Sequence, residues 1–114
     1  MGPFKSFHQV LSELGHTSVR VMKWDVEGFD EWDIFEEFFN DTTTLPNQIL
    51  FELHYRSHMK AETDWMHREK HAGEIALLAI QLYDAGYRVI HSAANPGCSS
   101  CYEYNLMRLH CPVY

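Results

Sequence analysis

This sequence predicts a mixed α/β fold with a largely parallel sheet, and three observations carry the prediction. Segments with helical and with strand periodicity alternate along the chain, the pattern of βαβ units. An apolar run, Val21-Met22-Lys23-Trp24, leads straight into Asp25, Val26, Glu27 and Gly28. A strand that ends in two acids and a glycine delivers carboxylates to the mouth of a site. The last two strand-like segments have no helix between them, only the turn signal Asn95-Pro96-Gly97, so they are expected to run antiparallel.

The elements follow in order. Ser6 to Leu14 carries Phe7, Val10, Leu11 and Leu14 at helical spacing, and Gly15 is a natural C-terminal stop. Ser18 to Asp25 reads as a strand rich in valine. Lys23 inside it and Arg20 near its start make it less uniformly apolar than a strand buried on both faces. Asp30 to Phe39 reads as a helix with Trp32, Phe35, Phe38 and Phe39 on its buried side. Acids crowd its first turns, where the helix dipole favours them. Asn40 to Asn47 is a polar loop, and Gln48 to Leu53 is a second strand ending at His54. The polar connection from Tyr55 to about His71 is too long for a routine loop and is expected to hold a turn or helix of its own. Glu74 to Ala85 is an amphipathic helix with Ile75, Leu78, Leu82 and Tyr83 inward, closed by Gly86. Tyr87 to His91 is the third strand and Tyr102 to Leu109 the fourth.

A length of 114 residues suits one domain, 1–114, and a hydrophobic fraction of 46% argues for a packed core rather than disorder. Sixteen acids against nine bases give a net charge of −7, which offers no electrostatic footprint for nucleic acid or an anionic membrane. No apolar run approaches the roughly 18 residues of a membrane span. Met1-Gly2-Pro3-Phe4-Lys5 lacks the apolar core of a signal peptide. The cysteines, Cys98, Cys101 and Cys111, are odd in number, so their usage assigns no compartment.

Lys23-Trp24-Asp25-Val26-Glu27-Gly28 resembles the Lys-x-Asp-x-Glu-Gly signature of the FkbM-like methyltransferases, a branch of the class I S-adenosylmethionine-dependent enzymes. Leu45 to His54 resembles the next strand of that family, which often ends in Glu-x-His. Gly86 to Ser92, then Asn95-Pro96, then Cys101-Tyr102-Glu103-Tyr104, is similar to the closing hairpin of the animal methyltransferase-like proteins. The three motifs occur in family order and span nearly the whole chain. The resemblance implies the C-terminal half of a doubly wound, Rossmann-like sheet of strand order 3-2-1-4-5-7-6, with this chain supplying strands 4, 5, 6 and 7.

The departure from the family is as informative as the match. Family members hold S-adenosylmethionine with a glycine-rich loop after the first strand and an acid after the second. The six glycines here are isolated, and no G-x-G motif occurs. The chain alone is therefore not expected to bind the cofactor or to methylate anything. The crevice that binds ligands would lie between strands 1 and 4, and strand 1 is missing. The strand ending at Asp25 would be a bare edge, which invites pairing with a second copy.

The resemblance implies acceptor-side roles for Asp25, Glu27 and His54, in orienting an unidentified acceptor or taking its proton. Read locally, Asp25 instead caps the following turn, and Glu27 is a solvated acid. Glu52 and His54, two apart on a strand, share a face. With Asp25 they suit a divalent cation as well as a hydrogen-bonded structural cluster, and the second is the reading adopted, with no metal site assigned. His67-x-x-x-His71 has the spacing of a helical metal pair, but its charged surroundings read as a solvated face. For Cys98-Ser99-Ser100-Cys101, thiols or a local disulfide rank above zinc, because His110-Cys111 makes a poor second pair.

The function expected is thus a partial methyltransferase domain, inactive alone. The alternative is a non-catalytic interaction or oligomerisation module derived from that fold. A small metal-binding protein built on the histidines and cysteines is a third reading.

Overall fold

The structure, a computed structural model, describes residues 5–25, 31–54, 72–98 and 101–109. Its elements are α1 (Phe7–Leu14), β1 (Val21–Trp24), α2 (Glu31–Asn40), a single 3₁₀ turn (Thr42–Thr44), β2 (Gln48–His54), α3 (Ala72–Asp84), β3 (Tyr87–Ala94) and β4 (Cys101–Arg108). Helices and strands alternate as the periodicity predicts.

The four strands form one open sheet in the order β1-β2-β4-β3. β1 and β2 are parallel, with Trp24 opposite Phe51. β4 lies antiparallel to both β2 and β3, so β3 points the same way as β1 and β2. The chain therefore leaves β2, crosses over through α3, lays down β3 at one edge and returns between β2 and β3.

The sheet has two unlike faces. Along β2, Ile49, Phe51 and Leu53 are buried while Gln48, Leu50 and Glu52 are half-buried, the period of two that a strand imposes. The buried set joins Trp24, Leu106 and Tyr87 beneath Phe35 and Phe38 of α2 and Leu78 and Leu82 of α3. Aromatic rings dominate this layer. Trp24 stacks on Phe35 at 5.5 Å and meets Phe38 edge-on at 5.6 Å, and Phe51 stacks on Tyr104 at 5.2 Å. Such pairs add roughly 0.5–1.5 kcal/mol each beyond their area burial. The polar tip of Tyr87 is satisfied at this depth, since its hydroxyl donates to the Pro46 carbonyl.

α1 is fixed by its ends. Ser6 and Gln9 form a reciprocal capping box, and Gly15 closes the helix in the left-handed region at φ 70°. A carboxylate from α2 adds to the N-terminus: the Glu37 oxygens accept from the backbone N–H groups of Phe7 and His8 at 3.2 and 3.0 Å. An acid there meets both the unpaired N–H groups and the positive end of the dipole.

Several expectations are corrected in detail. β1 is four residues long rather than eight, although the Val19 and Arg20 carbonyls still accept from Asn47 and Gln48 in strand-like fashion. β3 runs on through Ser92, Ala93 and Ala94, whose pairing with β4 outweighs their weak strand propensity. Val10 and Leu14 on α1 are exposed, as is Tyr83 on α3, which carries the Arg88 guanidinium 3.4 Å over its ring. Glu27, Gly28, the segment 55–71 with His67 and His71, and Cys111 lie outside the described residues.

Candidate functional site

The second face of the sheet carries the polar chemistry. An open groove of about 270 Å³ is lined by Lys23, Trp24 and Asp25 from β1 and its end, by Leu50, Phe51 and Glu52 from β2, by His91 from β3, and by Glu103, Tyr104 and Asn105 from β4. No helix among the described residues lines it.

Register explains the membership. Lys23 lies opposite Leu50, Leu50 opposite Asn105, and Glu52 opposite Glu103, so these side chains share one face. Asp25 follows Trp24 at the carboxyl end of β1, level with Glu52. His91 arrives by an irregularity: the pairing of β3 with β4 passes from Val89 opposite Leu106 directly to His91 opposite Asn105, leaving Ile90 as an inserted residue. Without that bulge His91 would face the apolar side. One extra residue re-aims the histidine into the groove. Three acids against Lys23 and His91 give the groove an acidic balance. Its floor is pinned where the Gln48 side-chain amide donates to Asn105 at 2.8 Å.

At one end of this face a tighter cluster forms. His54, only 1% exposed, lies opposite Cys101 across the β2–β4 pair. Its Nε2 is 3.7 Å from the Glu52 carboxylate. Ligand-capable atoms of Glu52, His54 and Cys101 all lie within 4.8 Å of one another. Cys101 is bonded to Cys98 in a local disulfide, with Cα atoms 5.4 Å apart.

Asn95 organises the cluster. Its carbonyl accepts from the Cys98 N–H at 3.0 Å, closing the Asn95-Pro96-Gly97-Cys98 turn. Its side-chain oxygen accepts from the Gly97 N–H at 2.9 Å, and its side-chain nitrogen donates to Glu52 Oε1 at 2.6 Å. The turn that presents Cys98 is thereby tied to the carboxylate beside His54.

The structure thus brings Glu52 and His54 together, as their spacing on one strand predicts. The third member of the group is Cys101, not Asp25, which joins Glu52 only in the wider groove. The C-x-x-C pair carries a disulfide, one of the two states left open by its spacing. Sequence reasoning did not find His91, Asn95, Glu103 and Asn105. The bulge that turns His91 has no local signature, and the rest depend on cross-strand register. Asn95 alone had a signal, in its Asn-Pro-Gly turn.

A second cleft, about 290 Å³ and almost wholly apolar, lies between α3 and the other face, against Leu53, Leu78, Leu82 and Leu106. Its inner wall continues the core, and Tyr83, Tyr87 and Arg88 are also among its lining residues.

Set against family models, curated proteins and solved structures, the chain finds no match in any of the three comparisons.

Proposed function

We propose that this chain is the C-terminal half of an FkbM-like class I methyltransferase domain, whose parent reaction transfers a methyl group from S-adenosylmethionine to an acceptor nucleophile. The observation that carries the reading is the sheet order. The half-fold implied by the sequence motifs runs 4-5-7-6, with strand 7 alone reversed. The order β1-β2-β4-β3, with β4 alone antiparallel, has the same sequence of strands and the same single reversal.

Position within the sheet supports the site residues. Asp25 and His54 stand at the carboxyl ends of the two parallel strands, the edge where open α/β sheets take their ligands. There Asp25 orients an acceptor hydroxyl and takes its proton, with His54 and Glu52 behind it. The residues present do not fit the cofactor itself, because the sequence contains no glycine-rich turn to cradle it. The chain alone is therefore assigned no transfer step.

A second reading, an interaction module built on the same half-fold, is favoured by the exposed edge. β1 has a strand partner on one side only among the described residues, and Val21 on it is 53% exposed. Sequencing the transcript upstream of Met1 separates the two. The methyltransferase reading expects a G-x-G-containing segment in the same frame. Its proven absence, together with a stable homodimer of the chain, decides for the module.

A further inference from the structure

We infer that Cys98, Cys101, His54 and Glu52 form a redox-gated site for a thiophilic divalent cation of the zinc class, closed while the disulfide stands and opened by its reduction. The inference is independent of the methyltransferase reading.

The donor set comes first. Two cysteines three apart have the spacing of a zinc-binding pair, and imidazole and carboxylate complete four ligands of the types zinc accepts. His54 and Cys101 face each other across one strand pair, and their donor atoms with that of Glu52 already lie within 4.8 Å. A tetrahedral zinc, with Zn–S about 2.3 Å and Zn–N about 2.0 Å, separates its ligand atoms by roughly 3.3–3.8 Å. The contraction required is about an ångström, within reach of rotation at the cysteines once the sulfur–sulfur bond opens.

Asn95 holds Glu52 Oε1, and the other carboxylate oxygen, Oε2, lies toward His54 Nε2. Hydrogen bonds that orient a ligand in this way are worth about 10–100-fold in metal affinity. The same Asn95 carbonyl closes the turn that carries Cys98, so the turn keeps its shape without the disulfide.

The redox step balances with a dithiol reductant. The Cys98–Cys101 sulfur–sulfur bond breaks, each sulfur gains one electron and one proton, and the reductant closes to its own disulfide. When the metal binds, both thiol protons leave as metal–sulfur bonds form. One sulfur pair serves either the disulfide or the metal, so the two states exclude each other.

The experiment titrates cobalt(II), a spectroscopic stand-in for zinc, into the 114-residue Cys111→Ser protein before and after reduction, with reductant removed. The reduced protein is expected to take one equivalent, with a thiolate-to-cobalt charge-transfer band that zinc abolishes. The oxidised protein is expected to show no such band. Glu52→Gln keeps the acceptor for Asn95 but loses the charge, and should weaken binding at least about tenfold. His54→Ala should weaken it further. A reduced protein without the band overturns the proposal, as does a band of equal strength in the oxidised protein or unchanged affinity in folded Glu52→Gln.

Discussion

At the scale of single residues, polar groups are placed by partners far away in sequence. Glu37 reaches back some thirty residues to the first two N–H groups of α1. Glu37→Ala should lower stability by about 1 kcal/mol in chemical denaturation, the usual worth of a helix N-terminal cap. Beside it, the Thr43 hydroxyl and backbone N–H hold the Asp41 carboxyl below its ordinary range. Burial pushes the Tyr87 phenol up to about 12, offset in part by the charge of Arg108. An unfolded tyrosine ionises near pH 10. The folded state binds this proton more tightly, so its contribution is fully present below pH 10 and is lost as the pH rises from 10 to 12. Urea denaturation across that range should show the decline, and Tyr87→Phe should flatten it. The same slope in the variant would assign it to other groups.

At the scale of elements, packing decides which apolar residues count. Leu77 and Leu78 are neighbours on α3 and differ only in direction: Leu77 is 55% exposed, and Leu78 is 2% exposed beneath the sheet. Leu78→Ala should cost about 2–5 kcal/mol, and Leu77→Ala under about 0.5 kcal/mol, read from thermal melts of the two variants. Much of this level was legible in the sequence. The strand from Gln48 to Leu53 and its end at His54 were marked as a segment, and the helical spacing of Phe35 and Phe38 marked the inner side of α2. Other features were not legible, for stated reasons. Tyr83 fits an inward helical position, but its ring is taken up by Arg88 at the surface. Ser92-Ala93-Ala94 carries no strand signal, and only pairing with β4 extends β3 through it. His91 enters the groove through a bulge that a period of two cannot anticipate. Cys101 joins Glu52 and His54 because β4 inserts between β2 and β3, a non-local arrangement that periodicity alone leaves open.

At the scale of the whole molecule, the four strands make an open sheet. One face is packed by α2 and α3, the other bears an acidic groove, and among the described residues β1 forms an edge. Such an edge pairs readily with another chain, and the expected outcome for the protein alone is a dimer or poor solubility. Val21→Lys, a charge placed on that edge, should shift the population toward monomer in light scattering. A clean monomer before the substitution would contradict the edge argument. The function proposed above has this chain hold the acceptor side of a methyltransferase crevice without the cofactor side. Calorimetric titration of S-adenosylmethionine into the 114-residue chain tests it most directly. No saturable heat is predicted, whereas saturable binding in the micromolar range would show that the chain builds a cofactor site of its own and would contradict the account.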